Sequence, residues 1–496
     1  MPSSDQLFDL LVIGGGITGC GVARDAAMRG LKVALIERDD FASGTSGRSS
    51  RLVHGGIRYL EHGQFHLVWE SIRERETLLR IAPHLVKPLA FTWPIYRGAR
   101  VGRLKLAAGL FLYQLMALGR SRRHLSLDAK ETIEREPSLS ETNLAGAAVY
   151  YDACTDDARL TIANAIAAEQ SGAFVASHTS VTEIERESEK ALHVTVTSQR
   201  SGTTQEIRAR VLVNATGVWQ DDLAGDARNR RNRGSKGVHI AVPRERVGNR
   251  DAITMISVVD GRVMFCLPAG PQTIIGTTDT WTDEPPENVH AAVSDVDYLL
   301  RSANAYFPRA HLMFDDVVSA WAGIRPLVGG QSNNPTAVSR EHSIVVDQSG
   351  VIHVHGGKLT TYRAMAAEIV DRVQETLGQK VRPAPTDSVE LPGGDRSGEI
   401  ERLQRDDPNL SHRLVTELPY TGAYLVYGVT REKAQTLSDL LIRRTHLAFE
   451  TRDHGRSIAA RAADIVAPLL QWDEQTKTAR VREYEQDVGR IFAIGA

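Results

Sequence analysis

Three glycines near the N-terminus have the spacing of a phosphate-binding turn. Gly14, Gly16 and Gly19 follow an apolar run at 7–13 and open an alanine-rich segment that begins near Ile17. The first glycine permits a tight turn, the second lets the backbone approach a pyrophosphate, and the third allows close packing of a helix on a strand. The pyrophosphate then lies on the amides of the helix N-terminus. The spacing predicts a dinucleotide site, and an empty glycine-rich turn is the less favoured interpretation.

A carboxylate follows where a nucleotide ribose would need it. Glu37 ends the next apolar run, at 31–37, and can accept hydrogen bonds from ribose hydroxyls. The glycine spacing alone does not distinguish FAD from NAD. The loop at 43–50, Ser-Gly-Thr-Ser-Gly-Arg-Ser-Ser, favours FAD because its backbone and hydroxyl donors suit a cofactor that extends beyond its pyrophosphate. The alternative for this loop is a plain flexible connection.

Seven further blocks of sequence resemble the signature segments of one enzyme family. In chain order they are SSRLVHGGIRYL at 49–60, DARL at 157–160, NATGVW at 214–219, KGVH at 236–239, IGTTD at 275–279, GIRPL at 323–327 and GGKLTTYR at 356–363. Together they resemble the aerobic, FAD-dependent glycerol-3-phosphate dehydrogenases, in the family's order over about residues 7–365.

The resemblance implies a fold, a cofactor and a reaction. The fold is an α/β arrangement like that of D-amino-acid oxidase, in which a Rossmann-like FAD-binding domain is interleaved with an antiparallel β-sheet substrate domain. The reaction is oxidation of sn-glycerol 3-phosphate to dihydroxyacetone phosphate by hydride transfer to flavin N5, with electrons passed to membrane quinone. The residues expected to contact FAD are Gly14, Gly16, Ile17, Thr18, Gly19, Glu37, Arg38, Thr45, Ser46, Ser49, Ser50, Val181, Gly217, Gly357, Lys358, Leu359 and Thr360.

The phosphate of this substrate is a dianion. Binding it requires several cations that point to one place, preferably guanidinium groups. Most surface arginines are merely solvated. Arg325 differs because it lies in an apolar, glycine-flanked stretch, where a charge normally has a buried partner or a ligand. By resemblance to the family, the residues assigned to substrate contact are His54, Arg58, Tyr59, Arg325, Arg340 and Lys358, with Leu267 lining the pocket.

The oxidation also removes a proton from the C2 hydroxyl of the substrate. Histidine is the natural base because its unperturbed pKa is near 6.5. His54 and His239 both lie in matched blocks, although a histidine on a strand is more often a packed or hydrogen-bonded structural residue. We expect His54 to be the base and Arg325 to stabilise the developing alkoxide. The sequence leaves the choice of base among His54, His239 and Arg325 open.

A segment at 97–124 combines basic and apolar residues. It holds seven arginines and lysines and no acid, arranged around an apolar run at 106–119. That run is too short to span a bilayer, which needs about 20 apolar residues. Such a helix fits a membrane interface with anionic lipid, but a buried core helix with solvated basic ends is an equal alternative. A second basic run, at 228–233, is expected to be a solvated loop.

Three classes of function therefore remain. The first is the quinone-linked dehydrogenase. The second is a glycerol-3-phosphate oxidase that reduces O2 to H2O2, which shares the substrate site but resembles this chain less, because the oxidases carry an insertion. The third is a non-catalytic, membrane-associated nucleotide-binding protein, which would not need all the phosphate-facing cations. An NAD-linked dehydrogenase is weaker still, since no second Rossmann half is evident.

Composition excludes other classes. The chain has 496 residues, of which 42% are hydrophobic and 24% charged, which rules out a disordered, collagenous or coiled-coil protein. With 59 basic and 61 acidic residues, no nucleic-acid partner is expected. The three cysteines lie far apart and form no CxxC pair, so neither a disulfide nor a metal site is expected. The first nine residues carry two acids and no base, which argues against a signal peptide.

Alternating strands and helices must position these residues. We expect a βαβ unit at 7–37, a helix at 65–81, mainly antiparallel strands at 236–355, and a boundary at 382–394. The protein is expected to be cytoplasmic and to lie on the inner face of the cytoplasmic membrane. A homodimer is one expected assembly. The expected domains are an FAD-binding domain at 1–92, 145–225 and 336–385, a substrate domain at 93–144 and 226–335, and a C-terminal helical domain at 390–496.

Overall fold

A computed structural model describes residues 6–117, 123–188, 191–220, 234–326 and 342–495. The strands are β1 Leu7–Ile13, β2 Val33–Ile36, β3 Leu52–Val53, β4 Val86–Tyr96, β5 Leu125–Leu127, β6 Leu144–Thr155, β7 Phe174–Ala176, β8 Thr179–Ser188, β9 Ala191–Ser198, β10 Thr204–Asn214, β11 Gly234–Pro243, β12 Ala252–Ile256, β13 Val263–Ala269, β14 Gln272–Gly276, β15 Thr280–Thr282, β16 Ala291–Ala292, β17 Ser319–Pro326, β18 Ser343–Val346, β19 Ile352–His355 and β20 Ile494–Gly495.

The helices are α1 Ile17–Met28, α2 Phe65–Ile81, α3 Arg103–Met116, α4 Ala129–Arg135, α5 Asp157–Gln170, α6 Arg244–Val247, α7 Val293–Tyr306, α8 Tyr362–Thr376, α9 Arg396–Asp406, α10 Gly422–Glu432, α11 Leu447–Glu450, α12 Ala459–Leu470 and α13 Glu474–Ile491, with a π-helix at Asp439–Arg444. Helix α2 lies where the sequence predicts it, and α1 and α5 begin where their sequence signals place them.

One sheet carries the glycine turn. Its strands run in the order β18-β19-β10-β1-β2-β7, and β8 and β9 extend it beside β10. Strand β1 is parallel to β2 and β10, so that Ile13 lies opposite both Ile36 and Asn214. Because the carboxyl ends of these three strands meet at one edge, the Gly14 turn and Glu37 lie at the place where open α/β sheets bind ligands. Helices α1, α5 and α8 pack together against this sheet.

A second sheet is mainly antiparallel. Its order is β15-β11-β14-β13-β12-β4-β6-β3, with β17 on β11 and β5 on β6. Strands β4 and β6 pair along their length, from Val86 opposite Thr155 to Tyr96 opposite Leu144. The expected domain boundaries at 92/93 and 144/145 differ from this arrangement. They divide β4 between two domains and place nearly all of β6 in the FAD-binding domain, whereas both strands belong to the second sheet. Pairing between strands so far apart leaves no local signal at either boundary.

Helix α3 forms the apolar segment between the two basic clusters. Its inner face, with Leu106, Leu110 and Tyr113, is buried. Its exposed apolar side chains are Leu104, Phe111 and Leu115, at 87%, 65% and 61% exposure. The helix is thus buried along one face only. Arg120, Arg122 and the basic run at 228–233 lie outside the described residues. In the described part of the chain, no helix has both the length and the apolar character needed to cross a bilayer.

The helical C-terminal region is joined to the first sheet by a buried ion-pair cluster. Asp40, in the loop after β2, is fully buried and pairs with Arg443 Nε at 2.5 Å and Arg444 Nη2 at 2.9 Å. Asp439 accepts hydrogen bonds from Arg443 and from His178 Nε2, the latter at 2.9 Å. Burial alone would lower the pKa of His178, but the Asp439 carboxylate raises it above its usual value. The carboxylates of this cluster are therefore neutralised by protein cations.

Replacing Asp40 with asparagine should strongly destabilise the chain. Asp40→Asn leaves two buried guanidinium groups without their shared carboxylate, which costs about 3–5 kcal/mol of unfolding free energy. Urea unfolding followed by circular dichroism measures the loss. Asp464→Asn is the control, because the 64% exposed Asp464 forms a surface pair with Lys477 and should cost less than about 1 kcal/mol. Equal losses in the two variants would contradict the role assigned to the cluster.

Candidate functional site

A cavity of about 520 Å³ is lined by residues of both sheets. Its wall combines the predicted nucleotide turn with the predicted substrate residues, so the two sets converge in space. The predicted site residues that line it are Gly14, Gly16, Ile17, Thr18, Glu37, Arg38, Thr45, Ser46, Ser49, Ser50, His54, Tyr59, Val181, Gly217, His239, Arg325, Gly357, Lys358, Leu359 and Thr360.

The glycine turn leaves no room for side chains. Gly14 has φ +109°, and a Cβ on it would lie 2.6 Å from the carbonyl oxygen of Ala215. Gly19 lies behind the cavity wall, where a Cβ would come within 1.9 Å of the Gly14 carbonyl oxygen. Helix α1 starts after Gly16 with no side-chain cap and no acidic residue in its first turn. Its first amides and positive dipole therefore fit a pyrophosphate.

Glu37 occupies the position expected for a ribose contact. Its carboxylate accepts hydrogen bonds from the amides of Gly15, at 2.5 Å, and Asp39, at 2.7 Å. Burial raises the pKa of Glu37 to about 7. A carboxylate has about four acceptor sites, and two of them are used here, so the group can still accept hydrogen bonds from ribose hydroxyls. The nucleotide end of the cavity thus fits a dinucleotide such as FAD.

The hydroxyl groups of the 43–50 loop are used partly within the protein. Thr45 Oγ1 donates to the Ile324 carbonyl at 2.7 Å, and Ser49 Oγ donates to Asp157 at 2.6 Å. Ser46 Oγ accepts a hydrogen bond from the Ile17 amide at 2.9 Å. These contacts fix the loop against β17, α5 and α1, so that it forms a shaped wall rather than a flexible connection.

Two guanidinium groups of the cavity wall are held on the same short segment, at 277–279. Arg325 donates to Asp279 Oδ1 at 3.1 Å and to Thr277 Oγ1 at 2.8 Å. This confirms that the charge in the apolar stretch has a protein partner. Arg262, which also lines the cavity, pairs with Asp260 at 2.9 Å and donates to the Asp279 carbonyl. The pairs fix both cations without covering the cavity wall.

The loops that carry His54 and Lys358 are held together. The His54 amide donates to Thr360 Oγ1 at 3.1 Å. The Lys358 ammonium lies 3.7 Å from the centre of the Tyr59 ring, a cation–π contact. Two segments separated by about three hundred residues in the chain therefore form one wall of the cavity, which contains both a candidate base and a cation.

His239 lies in a different environment. It is 2% exposed, its ring is stacked on Trp321 with centroids 5.5 Å apart, and its Nε2 is 2.8 Å from Ser50 Oγ. Burial, aided by the charges of Arg325 and Arg51, lowers the pKa of His239 to about 3. The imidazole is therefore neutral at pH 7. Its Nδ1 is buried and has no hydrogen-bond partner among the described residues.

Three predicted substrate residues are not placed at the cavity by the described part of the structure. Arg340 lies outside the described residues, and so does the side chain of Arg58. Leu267 is 5% exposed and packs in the hydrophobic core. It lies on the same face of β13 as the cavity-lining Val263 and Phe265, but further along the strand.

Several other residues of the cavity wall could not be predicted from the sequence. Arg262 follows a hairpin turn, where an arginine gives no sign of its partners, and Asp152 lies within an apolar strand whose pairing places it at the wall. The one sequence signal for these residues is Asp152, since an isolated acid in an apolar strand indicates a buried partner or a site. The other missed wall residues include Phe91, Trp93, Tyr150, Thr254, Val263 and Phe265.

Comparisons with known proteins agree with this geometry. Residues 9–372 match the family model described as FAD dependent oxidoreductase, and residues 353–477 match the C-terminal domain of alpha-glycerophosphate oxidase. The chain is 38% identical to glycerol-3-phosphate dehydrogenase 2 of Mycobacterium tuberculosis, over 97% of this chain and 88% of that protein. It is 35% identical to the aerobic glycerol-3-phosphate dehydrogenase of Staphylococcus saprophyticus, over 97% and 94%.

Solved structures give the same result. The glycerol-3-phosphate dehydrogenase of Bacillus halodurans, complexed with FAD, superposes with a TM-score of 0.78 at 31% identity, covering 98% of this chain and 96% of that one. The L-alpha-glycerophosphate oxidase of Mycoplasma pneumoniae shares the fold, with a TM-score of 0.59 at 18% identity, over 78% of this chain and all of that one. The predicted fold class and the FAD cofactor are thereby confirmed.

The affinity of the apoprotein for FAD should rise with pH through the pKa of Glu37. Hydrogen bonds from ribose hydroxyls favour the carboxylate, so the pKa of Glu37 falls on binding and a proton is released. Affinity then increases as pH rises through about 7, by about three- to tenfold between pH 6 and 8. Quenching of FAD fluorescence on titration with apoprotein measures this dependence.

Glu37→Gln should bind FAD more weakly at pH 8 and lose this rise. Glu136→Gln is the matched control, since burial raises the pKa of Glu136 to about 7 as well, but Glu136 does not line the cavity. If Glu37→Gln kept the full pH dependence, Glu37 would have no part in binding the ribose.

Proposed function

Because the chain belongs to the family of FAD-dependent glycerol-3-phosphate dehydrogenases, we propose that it oxidises sn-glycerol 3-phosphate to dihydroxyacetone phosphate and delivers the electrons to membrane quinone. One observation carries the substrate part of the proposal. Arg262, Arg325 and Lys358 converge on the same cavity as His54 and the nucleotide turn. A phosphate dianion needs such cations, and a hydroxyl group being oxidised needs a base beside them.

The residues divide the work at the substrate. When bound, FAD supplies a hydride acceptor at flavin N5. His54 takes the proton of the C2 hydroxyl. Arg325 remains protonated and stabilises the negative charge that develops on that oxygen, since Asp279 and Thr277 already hold its guanidinium group in place. Arg262 and Lys358 bind the phosphate.

His239 is better suited to a hydrogen-bonding role than to general base catalysis. With a pKa of about 3 its imidazole has little driving force to take a proton from an alcohol at neutral pH. Its Nε2 is already hydrogen-bonded to Ser50. The neutral ring therefore stays in one orientation, because burial and the nearby charge of Arg325 both disfavour its protonation.

The surface of α3 supports a membrane quinone as the acceptor. Phe111 and Leu115 expose apolar area on a helix that starts with Arg103 and Lys105, a combination that binds at the interface of anionic bilayers. Quinone is dissolved in the lipid, so an enzyme resting on the inner face of the cytoplasmic membrane reaches its acceptor without a spanning helix. Membrane association and quinone use thus form one proposal.

Oxygen is the second candidate acceptor. The match of residues 353–477 to the C-terminal domain of alpha-glycerophosphate oxidase is the observation that favours it. The substrate site would be the same in both cases, and only the fate of the two electrons would differ. The product of O2 reduction would be H2O2.

Anaerobic titration tests the substrate and the base together. Glycerol 3-phosphate should bleach the flavin absorbance of the wild-type protein stoichiometrically. His54→Ala should retain FAD but reduce it at least about 100-fold more slowly, because general base catalysis contributes about 10²–10⁴-fold. Reduction of His54→Ala at the wild-type rate would remove His54 from the mechanism, and no bleaching in the wild type would refute the proposed substrate.

Reoxidation of the reduced enzyme then distinguishes the acceptors. A soluble quinone should restore the flavin absorbance much faster than air-saturated buffer, and a peroxidase-coupled assay should detect little H2O2. Rapid reoxidation by air with one H2O2 per substrate would instead identify an oxidase.

Truncating the apolar side chains on α3 should weaken binding to membranes. Phe111→Ser combined with Leu115→Ser removes two side chains that would each contribute about 1.5–3 kcal/mol when buried in lipid, so vesicle binding should fall at least about 100-fold. Co-sedimentation with vesicles of phosphatidylglycerol and phosphatidylcholine measures the change. Val345→Ser with Val346→Ser is the control, because these side chains are 46% and 45% exposed but lie on β18. Equal binding by wild type and the α3 variant would contradict the proposal.

A further inference from the structure

A buried carboxylate connects α3 to the loop that carries His54. Asp152, on β6, is 5% exposed. Its Oδ1 atom accepts hydrogen bonds from the Gly55 amide at 3.0 Å, from Tyr113 Oη at 2.6 Å and from Arg75 Nη1. The three donors lie on the loop, on α3 and on α2. A single oxygen atom therefore fixes the relative positions of three segments that are remote in sequence.

The contact between Tyr113 and the loop is also steric. A Cβ on Gly55 would lie 2.1 Å from Tyr113 Oη, so the hydroxyl packs directly against the backbone of the loop. The next residue, Gly56, has φ +72°, in the left-handed region that glycine adopts most easily. The path of the chain between His54 and Tyr59 is thus set by a hydroxyl group on α3.

Tyr113 acts at a distance from the cavity. It is 3% exposed and does not line the cavity, whereas His54, Gly56 and Tyr59 do. Phe111 and Leu115, on the same helix, are largely exposed. A displacement of α3 therefore reaches the cavity through Tyr113 and the backbone of Gly55, without any direct contact between α3 and a bound molecule there.

We propose that Tyr113 is a positioning residue that couples α3 to the substrate loop at 54–59, and so sets the affinity of the cavity for glycerol 3-phosphate. The inference rests on the proposed function of this cavity. Because coupling between two sites is reciprocal, a ligand that orders the loop must also order α3. Both directions of this coupling can be measured.

Tyr113→Phe removes the hydroxyl group and retains the ring. The Asp152 carboxylate keeps its ion pair with Arg75, so the variant leaves no buried charge unpaired. Asp152→Asn would break the buried ion pair with Arg75 and would test stability instead. Loss of the hydrogen bonds that the hydroxyl makes with Asp152 and Arg75, and of its packing against Gly55, should raise the KM for glycerol 3-phosphate about three- to tenfold. FAD content and thermal stability should remain those of the wild type.

Hydrogen exchange measured by mass spectrometry provides the second readout. Dihydroxyacetone phosphate is the ligand, because this product cannot reduce the flavin. In the wild-type holoenzyme it should slow exchange in peptides that cover 52–60 and also in peptides that cover 106–116. In Tyr113→Phe, it should still protect 52–60 but no longer protect 106–116. Tyr484→Phe is the control, since this buried tyrosine donates to the His454 carbonyl in the C-terminal region and should change neither readout.

The outcomes separate the inference from the function on which it rests. If glycerol 3-phosphate does not reduce the wild-type flavin, the proposed function fails. If it does, a wild-type KM in Tyr113→Phe overturns the positioning role. The coupling is overturned if dihydroxyacetone phosphate does not protect 106–116 from exchange in the wild type. It is also overturned if this protection is the same in Tyr113→Phe. Loss of FAD or of thermal stability in Tyr113→Phe without a change in KM identifies a structural residue and overturns the inference as well.

Discussion

The site depends on close contacts between backbone segments at glycine residues, where no side chain would fit. At the edge where β1, β2 and β10 end, the Gly14 turn, the Gly19 turn of α1 and the Ala215 backbone meet at distances that no Cβ could occupy. This contact brings the N-terminus of α1, Glu37 and the 43–50 loop to one cavity. Residues of the second sheet complete the wall of this cavity.

Cations in this protein are held by its own carboxylates before any ligand binds. Asp279 holds Arg325, Asp152 holds Arg75, and Asp40 holds Arg443 and Arg444. A charge removed from water is tolerated only when it is paired, and a paired charge is also a fixed one. The near balance of 59 bases and 61 acids therefore gives little information about the surface or the site. The net charge adds up ion pairs that lie in different parts of the protein and have different roles.

The parts of the site that could be predicted are those in which chemistry and spacing lie within one short segment. The glycine turn, Glu37 and the matched blocks around His54, His239, Arg325 and Lys358 are of this kind. Gly14, Gly16, Glu37 and these four residues line the cavity. Arg262 and Asp152 were missed because their roles arise from strand pairing, which places residues of separate segments together. The membership of β4 and β6 in the second sheet was missed for the same reason. The exposed side of α3 was unpredictable because the helix is apolar nearly all round.

The strand order has a consequence for biosynthesis. Strand β10 lies between β1, near the N-terminus, and β19, which ends at His355, so the nucleotide-binding sheet cannot close until the ribosome has passed that residue. The partners of Asp40, Arg443 and Arg444, are synthesised later still. Such non-local pairing folds slowly and leaves apolar strands exposed in the nascent chain. The FAD site at the edge of this sheet is therefore complete only after β19 has been made, and the loop that holds Asp40 gains its arginine partners later still.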